Sequence, residues 1–310
     1  MKQKDGISAV IPNWNGKELL QKNLPSLVEA LDYNGGDYEI VVVDDASTDG
    51  SHQFIRNAYP FVTLVRLERR LGFSGAVNSG VKQAKYDMLL LLNSDIRVPK
   101  DFLSPLLNYF HDEKTFAVSN KAMEDENTVL TRPHYMEFRH GFMSEAYMSA
   151  ENEPSYAFGA SGGHGLFDRE KFLRLGGFDP IYSPFYYEDA DLSYRAWKRG
   201  YRVYYEPNSI VYHEHQATIG KFFSKKYITF IFNRNRFIFL WKNLTDSQLI
   251  LQHCLFLPAY LLWNLFKNPL IFLSLFAALL KLRAIFTSRK KEKVFIRYGD
   301  REVLNFMRVE

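Results

Sequence analysis

Apolar residues follow two different patterns along this chain. Up to about residue 215 they form short unbroken runs, separated by turn clusters and by stretches with helical spacing. Residues 7–12 (ISAVIP), 39–43 (EIVVV), 62–67 (VTLVRL) and 88–92 (MLLLL) are four such runs. A strand covered on both faces reads as a continuous apolar run, so each predicts a strand of a buried, parallel sheet. Between them, Leu19, Leu20, Leu24, Leu27, Val28 and Leu31 recur at helical spacing. A second helix is expected up to about Tyr59, and Gly72 to Gly80 opens a third. Strand and helix in strict alternation predict an α/β architecture.

The pattern then loosens. A helix is expected from Pro99 to about His111, and residues 116–119 read as a short strand. Residues 120–150 show no clear period and read as a variable surface segment. Gly159, Gly162, Gly163 and Gly165 imply close approach of the backbone to something. Residues 171–175 and 188–199 read as helices, the second closed by Gly200. Residues 202–205 and 209–212 read as two strands, followed by His213, Glu214 and His215.

The second pattern begins at Lys221. Residues 222–241 mix aromatic with basic side chains, and 249–263 and 270–280 are strongly apolar. Each apolar run is shorter than the roughly 20 residues of a straight membrane span. A helical hairpin lying in, or re-entering, a membrane interface is expected, against the alternative of two core helices in a C-terminal subdomain. Lys281, Arg283, Arg289, Lys290, Lys291 and Lys293 suit anionic cytoplasmic headgroups. The expected division is 1–220 and 221–310.

Composition narrows the classes. A chain of 310 residues, 46% hydrophobic, is long and apolar enough for a sizeable core. A net charge of +4 does not imply nucleic acid. Cys254 is the sole cysteine, which excludes an intrachain disulfide and suits a reducing compartment. The first apolar run is too short for a signal-peptide core, so export is not expected.

Candidate chemistry collects at the ends of the runs. In an open parallel sheet, ligands bind outside the carboxyl ends of the strands. Trp14, Asp45 and Asp95 stand at three such ends. Trp14 suits stacking on a base, and Asp45 suits accepting a hydrogen bond from a base or ribose, or else simply building a turn. Asp95 follows Asn93 and Ser94 and suits either a metal corner or a helix cap. No dinucleotide or P-loop glycine fingerprint follows the first run. Glu188, Asp189 and Asp191 cluster at a helix start, more acid than capping requires, so one of them suits a general base. His213 paired with Asp95 suits Mg2+ or Mn2+, completed by diphosphate oxygens.

Taken in order, these pieces resemble an inverting family 2 glycosyltransferase of the GT-A fold. The matching stretches are 10–16 (VIPNWNG), 43–51 (VDDASTDGS), 71–80 (LGFSGAVNSG), 93–95 (NSD), 176–179 (GGFD), 188–192 (EDADL) and 195–200 (RAWKRG). The resemblance runs from about residue 7 to 215, and is nearest to rhamnosyltransferase-like bacterial members that build surface polysaccharides. It implies a Rossmann-like mixed sheet flanked by helices, with a C-terminal apolar helical extension. It implies that Pro12, Trp14, Asp45, Asn78, Asn93, Ser94 and Asp95 bind the nucleotide sugar, and that Asp189 is the catalytic base. Gly162, Gly163, His164 and Glu188 would border the acceptor, and Asp95 and His213 would hold a divalent metal. Asn93 replaces the family's usual first aspartate, which removes one charge from the metal corner.

The expected function is therefore transfer of a sugar, with inversion, from a dTDP- or UDP-sugar to a hydroxyl of a saccharide or lipid-linked saccharide. The expected place is the cytoplasmic face of the cell membrane. Two rivals come from other classes. One is a catalytically silent membrane-bound partner in a polysaccharide assembly complex. The other is a sugar nucleotidyltransferase, disfavoured because residues 13–17 are a poor substitute for a glycine-rich basic loop.

Overall fold

The computed structural model describes residues 6–148, 151–213 and 219–308. The first half alternates as the runs predict: β1 (Ile7–Asn13), α1 (Lys17–Asn34), β2 (Tyr38–Asp44), α2 (Ser51–Ala58), β3 (Thr63–Arg66), α3 (Gly72–Gln83) and β4 (Met88–Leu91). β1 is flanked in parallel by β2 and β4, and β2 by β3. Ile7, Ala9 and Ile11 enter one core while Val10 enters the other, the period of two expected of a strand covered on both sides. Leu20, Leu24 and Leu27 of α1 cover the first face, and Ala76, Val77 and Val81 of α3 cover the second.

Beyond β4 the sheet is mixed. In chain order come β5 (Ile96–Arg97), α4 (Leu103–Leu107), β6 (Thr115–Met123), β7 (His134–Arg139), β8 (Phe142–Tyr147), β9 (Ser155–Tyr156) and β10 (Leu166–Asp168). Then follow α5 (Arg169–Arg174), α6 (Glu188–Lys198) and β11 (Arg202–His213). The sheet order is β3-β2-β1-β4-β10-β6-β11-β5, with β10 antiparallel to both its neighbours and β9 paired to β11. The two strands expected at 202–205 and 209–212 are one, because a register shift between Glu206 and Ile210 absorbs Pro207.

Residues 120–150 are not a loose surface segment. β6 runs on to Met123, and β7 pairs with β8 as a separate antiparallel hairpin. Met136, Phe142 and Met143 are buried there, with the Phe142 ring 4.4 Å from that of Tyr260 and 6.1 Å from that of Phe237. The partners lie about a hundred residues on, so no local period reveals them.

The tail comprises α7 (Ile219–Phe222), α8 (Lys225–Asn243), α9 (Ser247–Lys267), α10 (Leu270–Leu279), α11 (Leu282–Lys293) and α12 (Asp300–Phe306). Phe237, Ile238, Phe239 and Leu240 of α8 belong to the same hydrophobic cluster as Val10, Val43 and Leu89 of the sheet. The expected boundary at 220 therefore crosses a continuous core. α9 is 21 residues long, longer than its apolar run, because the helix continues through Pro258 to Lys267. It is long and apolar enough to cross a bilayer, and α10 and α11 form a pair bent by 60°. α10 buries Ile271, Ser274 and Ala278 and turns Leu273, Phe276 and Leu280 outward. α9 leaves Leu262 71% and Phe266 90% exposed, so the tail presents a broad apolar face.

Candidate active site

The carboxyl ends of β1 and β2 and the turn after β4 open onto a cleft of about 350 Å³. The turns after β1 and β2 are bonded to each other. The Asn15 N–H donates to Ser47 Oγ (2.9 Å), Asn15 Oδ1 accepts from the Thr48 N–H (2.8 Å), and the Lys17 N–H donates to Asp49 (2.8 Å). These bonds hold Asn15 at a φ of 51°, a left-handed conformation that asparagine tolerates, and so fix Trp14 at the cleft wall. The Arg70 guanidinium lies 3.3 Å from the centroid of the Trp14 ring, and the Phe222 ring lies 4.6 Å from it. The result is an aromatic platform carrying a cation.

Asp45 does two jobs. Its carboxylate accepts the N–H groups of Leu71 (2.6 Å) and Gly72 (2.9 Å), which anchors the start of α3, and it also lines the cleft. Burial raises its pKa, against the pull of those two N–H groups and of Arg70.

Asn93, Ser94 and Asp95 form the facing wall. The Asn93 N–H donates to the Gly163 carbonyl (2.7 Å), and a Cβ on Gly163 would stand 2.5 Å from Asn93 Nδ2. Only glycine permits that approach. Asn23 Nδ2 donates to the Ser94 carbonyl (2.9 Å) and holds the turn from behind. Asp95 Oδ1 is buried and accepts no hydrogen bond among the described residues, and His213 Nε2 stands 3.4 Å from it. A buried carboxylate oxygen without donors is costly unless a cation reaches it. One carboxylate and one imidazole fit a divalent cation whose other ligands come from a substrate. Among the described residues, no group of three or more His, Cys, Asp or Glu side chains is gathered for a metal.

The carboxylate pair opens α6. Tyr186 and Tyr187, which lead into it, are both left-handed, with φ of 72° and 76°. Glu188 and Asp189 line the cleft. Asp189 Oδ2 accepts the Gly162 N–H (3.3 Å) and Oδ1 the Ala190 N–H (2.8 Å), whereas Glu188 Oε2 is buried without a partner. Burial and the charge of Asp189 push the Glu188 pKa up to about 8. Burial also raises that of Asp189, partly offset by the two N–H groups. The backbone N–H groups favour the charged form at Asp189, whereas burial and that neighbour favour the proton at Glu188.

Asp191, three residues on, faces the interior. It accepts from Tyr182 (2.8 Å), Asn243 (2.8 Å), Arg195 (2.7 Å) and Lys242 (2.8 Å). Burial works to raise its pKa, but Lys242 and Arg195 hold it well below the usual carboxylate range. The acid-rich helix start thus divides into two cleft groups and one structural anion.

The cleft gathers Pro12, Trp14, Asp45, Asn93, Ser94, Asp95, Gly163, Glu188, Asp189 and His213. Three expected residues stand behind it. Asn78 is a staple, donating to the Phe178 carbonyl (2.7 Å) and accepting the Phe178 N–H (3.0 Å). Gly162 packs against Phe73 and Phe178, leaving only its N–H to Asp189. His164 is buried with its Nδ1 on Asn120, and burial followed by nearby His213 takes its pKa down to about 3, so it stays neutral behind His213. Glu214 and His215 lie outside the described residues. Arg70, Phe73, Tyr186 and Phe223 also line the cleft and went unread in the sequence. For Arg70 a signal exists: the charges at 68–70 sit between a strand end and the Gly72 turn.

Comparison with known proteins adds a family. The family model described as glycosyl transferase family 2 matches residues 8–176. The chain is similar to poly-beta-1,6-N-acetyl-D-glucosamine synthase of Staphylococcus aureus (strain COL), 27% identical over 227 residues, which cover 70% of this chain and 52% of that protein. It therefore spans about half the length of the curated relatives it matches. Its fold is similar to that of S. aureus TarS 1–349 in complex with UDP-GlcNAc (TM-score 0.60, 16% identity, 94% of this chain and 91% of that chain). It is also similar to mannosyltransferase PcManGT from Pyrobaculum calidifontis in complex with GDP-Man and Mn2+ (TM-score 0.55, 16% identity, 95% and 86%).

The state of Glu188 has a measurable consequence. Its folded pKa of about 8 exceeds its ordinary 4.5, so the folded protein binds more protons than the unfolded one between these values. Stability from this group is full below about pH 4.5 and is lost as pH rises through about 8. Glu188→Gln removes the penalty. Melting curves should show the variant more stable than the parent at pH 8.5, by roughly 3–6 °C, with the gap closing by pH 5. An equal gap at both pH values would show that Glu188 is not buried as an acid.

Proposed function

This chain belongs to glycosyl transferase family 2 and has the GT-A fold, and on that premise we propose that it transfers a sugar, with inversion, from a nucleoside-diphosphate donor to a saccharide hydroxyl during surface polysaccharide synthesis. The observation that carries this reading is one cleft holding an aromatic and cationic platform at Trp14 and Arg70, the Asp95–His213 pair, and the carboxyl groups of Glu188 and Asp189.

The base of the donor stacks at Trp14, and Asp45 accepts a hydrogen bond from the nucleoside with the lone pairs its two backbone bonds leave over. Asp95 and His213 would hold a divalent cation, Mn2+ or Mg2+, which when bound neutralises charge on the diphosphate. Asp189 takes the proton from the acceptor hydroxyl as that oxygen attacks the anomeric carbon. Bond breaking to the diphosphate proceeds from the opposite face, and configuration inverts. Glu188, carrying its proton, is a hydrogen-bond donor to the acceptor.

Both UDP- and dTDP-sugars suit the site. UDP-GlcNAc is the first probe, because a TarS structure similar in fold was solved with it. The rhamnosyl reading rests on the motif resemblance and makes dTDP-rhamnose the second probe. A lipid-linked saccharide is the acceptor we favour. Leu262, Phe266, Leu273, Phe276 and Leu280 face outward, with Lys267, Lys281, Lys290 and Lys291 close by in sequence. An apolar face rimmed by lysine suits the cytoplasmic surface of an anionic membrane.

Three measurements test these statements. Asp189→Asn should lower turnover about 10²–10⁴-fold with the fold intact. Near-parental release of nucleoside diphosphate by that variant would exclude the base assignment, and none from the parent across the donor panel would favour the silent partner. UDP with Mn2+ should raise the melting temperature of the parent, and EDTA or Asp95→Asn should remove most of that rise. A rise that survives both would sink the metal corner. Vesicles containing anionic lipid should sediment the protein, and Leu262→Ser with Phe266→Ser should weaken partitioning about tenfold or more; equal partitioning of parent and variant would rule out this face.

A further inference from the structure

Among the described residues the side chain of Asp189 bonds backbone N–H groups and no side chain, so its aim is set by the backbone that carries it. That backbone is gripped at two points by α8. Asn235 is fully buried, and its Nδ2 donates to the carbonyls of Tyr182 (2.7 Å), Phe185 (2.9 Å) and Tyr186 (2.8 Å). Arg234 donates to the carbonyls of Ser183 (2.6 Å) and Tyr182 (3.2 Å), and its Nε donates to Asn235 Oδ1 (3.0 Å), which fixes the amide. Seven and eight residues along the same helix, Lys242 and Asn243 hold Asp191. Glu188 and Asp189 lie between the two grips.

The conformation held there needs holding. Two successive left-handed tyrosines are sterically costly, and such a pair persists only where its surroundings over-determine it. The two N–H groups of the amide at position 235 are shared among three carbonyls of the segment, and neither alanine nor a hydrocarbon replaces them. The sequence separation is about fifty residues, so the segment and its clamp are distant in the chain.

We propose that Asn235, braced by Arg234, is a positioning residue for the carboxylate pair. The tail helix α8 is then a component of the active site, not only a link to the apolar helices behind it. The inference rests on the reading of Asp189 as the base.

The test uses the full chain. With no substrate present, Asn235→Ala should speed hydrogen exchange at residues 185–191 while leaving β1, β2 and β4 unchanged. Unchanged exchange at 185–191 would overturn the proposal. Turnover is then read as nucleoside diphosphate released from UDP-GlcNAc, UDP-glucose or dTDP-rhamnose. The variant should keep UDP affinity and the donor KM within about twofold, while kcat falls about 100-fold, as expected of a misaimed group. A lower melting temperature with kcat and KM unchanged would mean that the clamp is structural only. Asp189→Asn, run in parallel, separates the two readings. If it turns over normally, the base assignment fails; if it is silent while Asn235→Ala is normal, the clamp fails. Should Asn235→Ala not fold, Arg234→Lys is the substitute, with an expected tenfold loss in kcat at unchanged UDP affinity; parental kcat there would overturn the proposal as well.

Discussion

A buried negative charge organises the catalytic half of this molecule. Asp191 is fully buried and its two carboxylate oxygens accept four side-chain donors, from Tyr182, Arg195, Lys242 and Asn243. An isolated charge there would be forbidding, and removing one partner of such a pair costs about 3–5 kcal/mol. The donors come from three separate stretches: the segment before α6, α6 itself and α8. Satisfying one carboxylate therefore docks the tail helix α8 against α6 and fixes their register. Lys242 also reaches Asp179, and Lys198 on α6 reaches Asp300, so the same device recurs across the interface. Geometry this restrictive suits a pair of cleft carboxylates that must be held to a fraction of an ångström.

The strand half of the fold was legible in the sequence because its constraint is local. A strand covered on both faces reads as an apolar run, and the runs ending at residues 12, 43 and 92 say so without help from elsewhere, whereas the run ending at 67 forms the edge strand β3 with Thr63 and Arg66 exposed. The turn chemistry after β1 and β2 was legible for the same reason. The β7–β8 hairpin was not, because Phe142 packs on Phe237 and Tyr260 of tail helices far along the chain. Nor was Arg70, whose charge looks solvated until the Trp14 ring is seen beneath it.

Asn78, His164 and Asp191 show the other limit. A polar residue beside a site has the same sequence signature whether it faces the ligand or braces the wall. Asn78 spends both ends of its amide on Phe178, and His164 is paired to Asn120 behind His213. Only the direction of the side chain separates these from Asn93 and His213. That direction is fixed by contacts a hundred residues away in the case of Asn78.

The balance of charge in the cleft explains why these roles must be divided. Asp45, Asp95, Glu188 and Asp189 line a cavity that, on the proposed reading, admits an anionic diphosphate. Arg70 and His213 line the same cleft, Arg70 against Trp14 and His213 against Asp95. Four full negative charges would repel the donor. Three features relieve this. Two backbone N–H groups on Asp45 spread its charge into the start of α3. Burial keeps a proton on Glu188 up to about pH 8, so at neutral pH that residue adds no charge to the cleft. Asp95 keeps a buried oxygen that faces His213 and accepts no hydrogen bond among the described residues, and on the proposed reading a divalent cation there offsets its charge. On this account asparagine at position 93 is no defect: a second carboxylate beside Asp95 would strengthen the hold on a cation, but it would also add a charge to a cleft whose proposed ligand already brings its own.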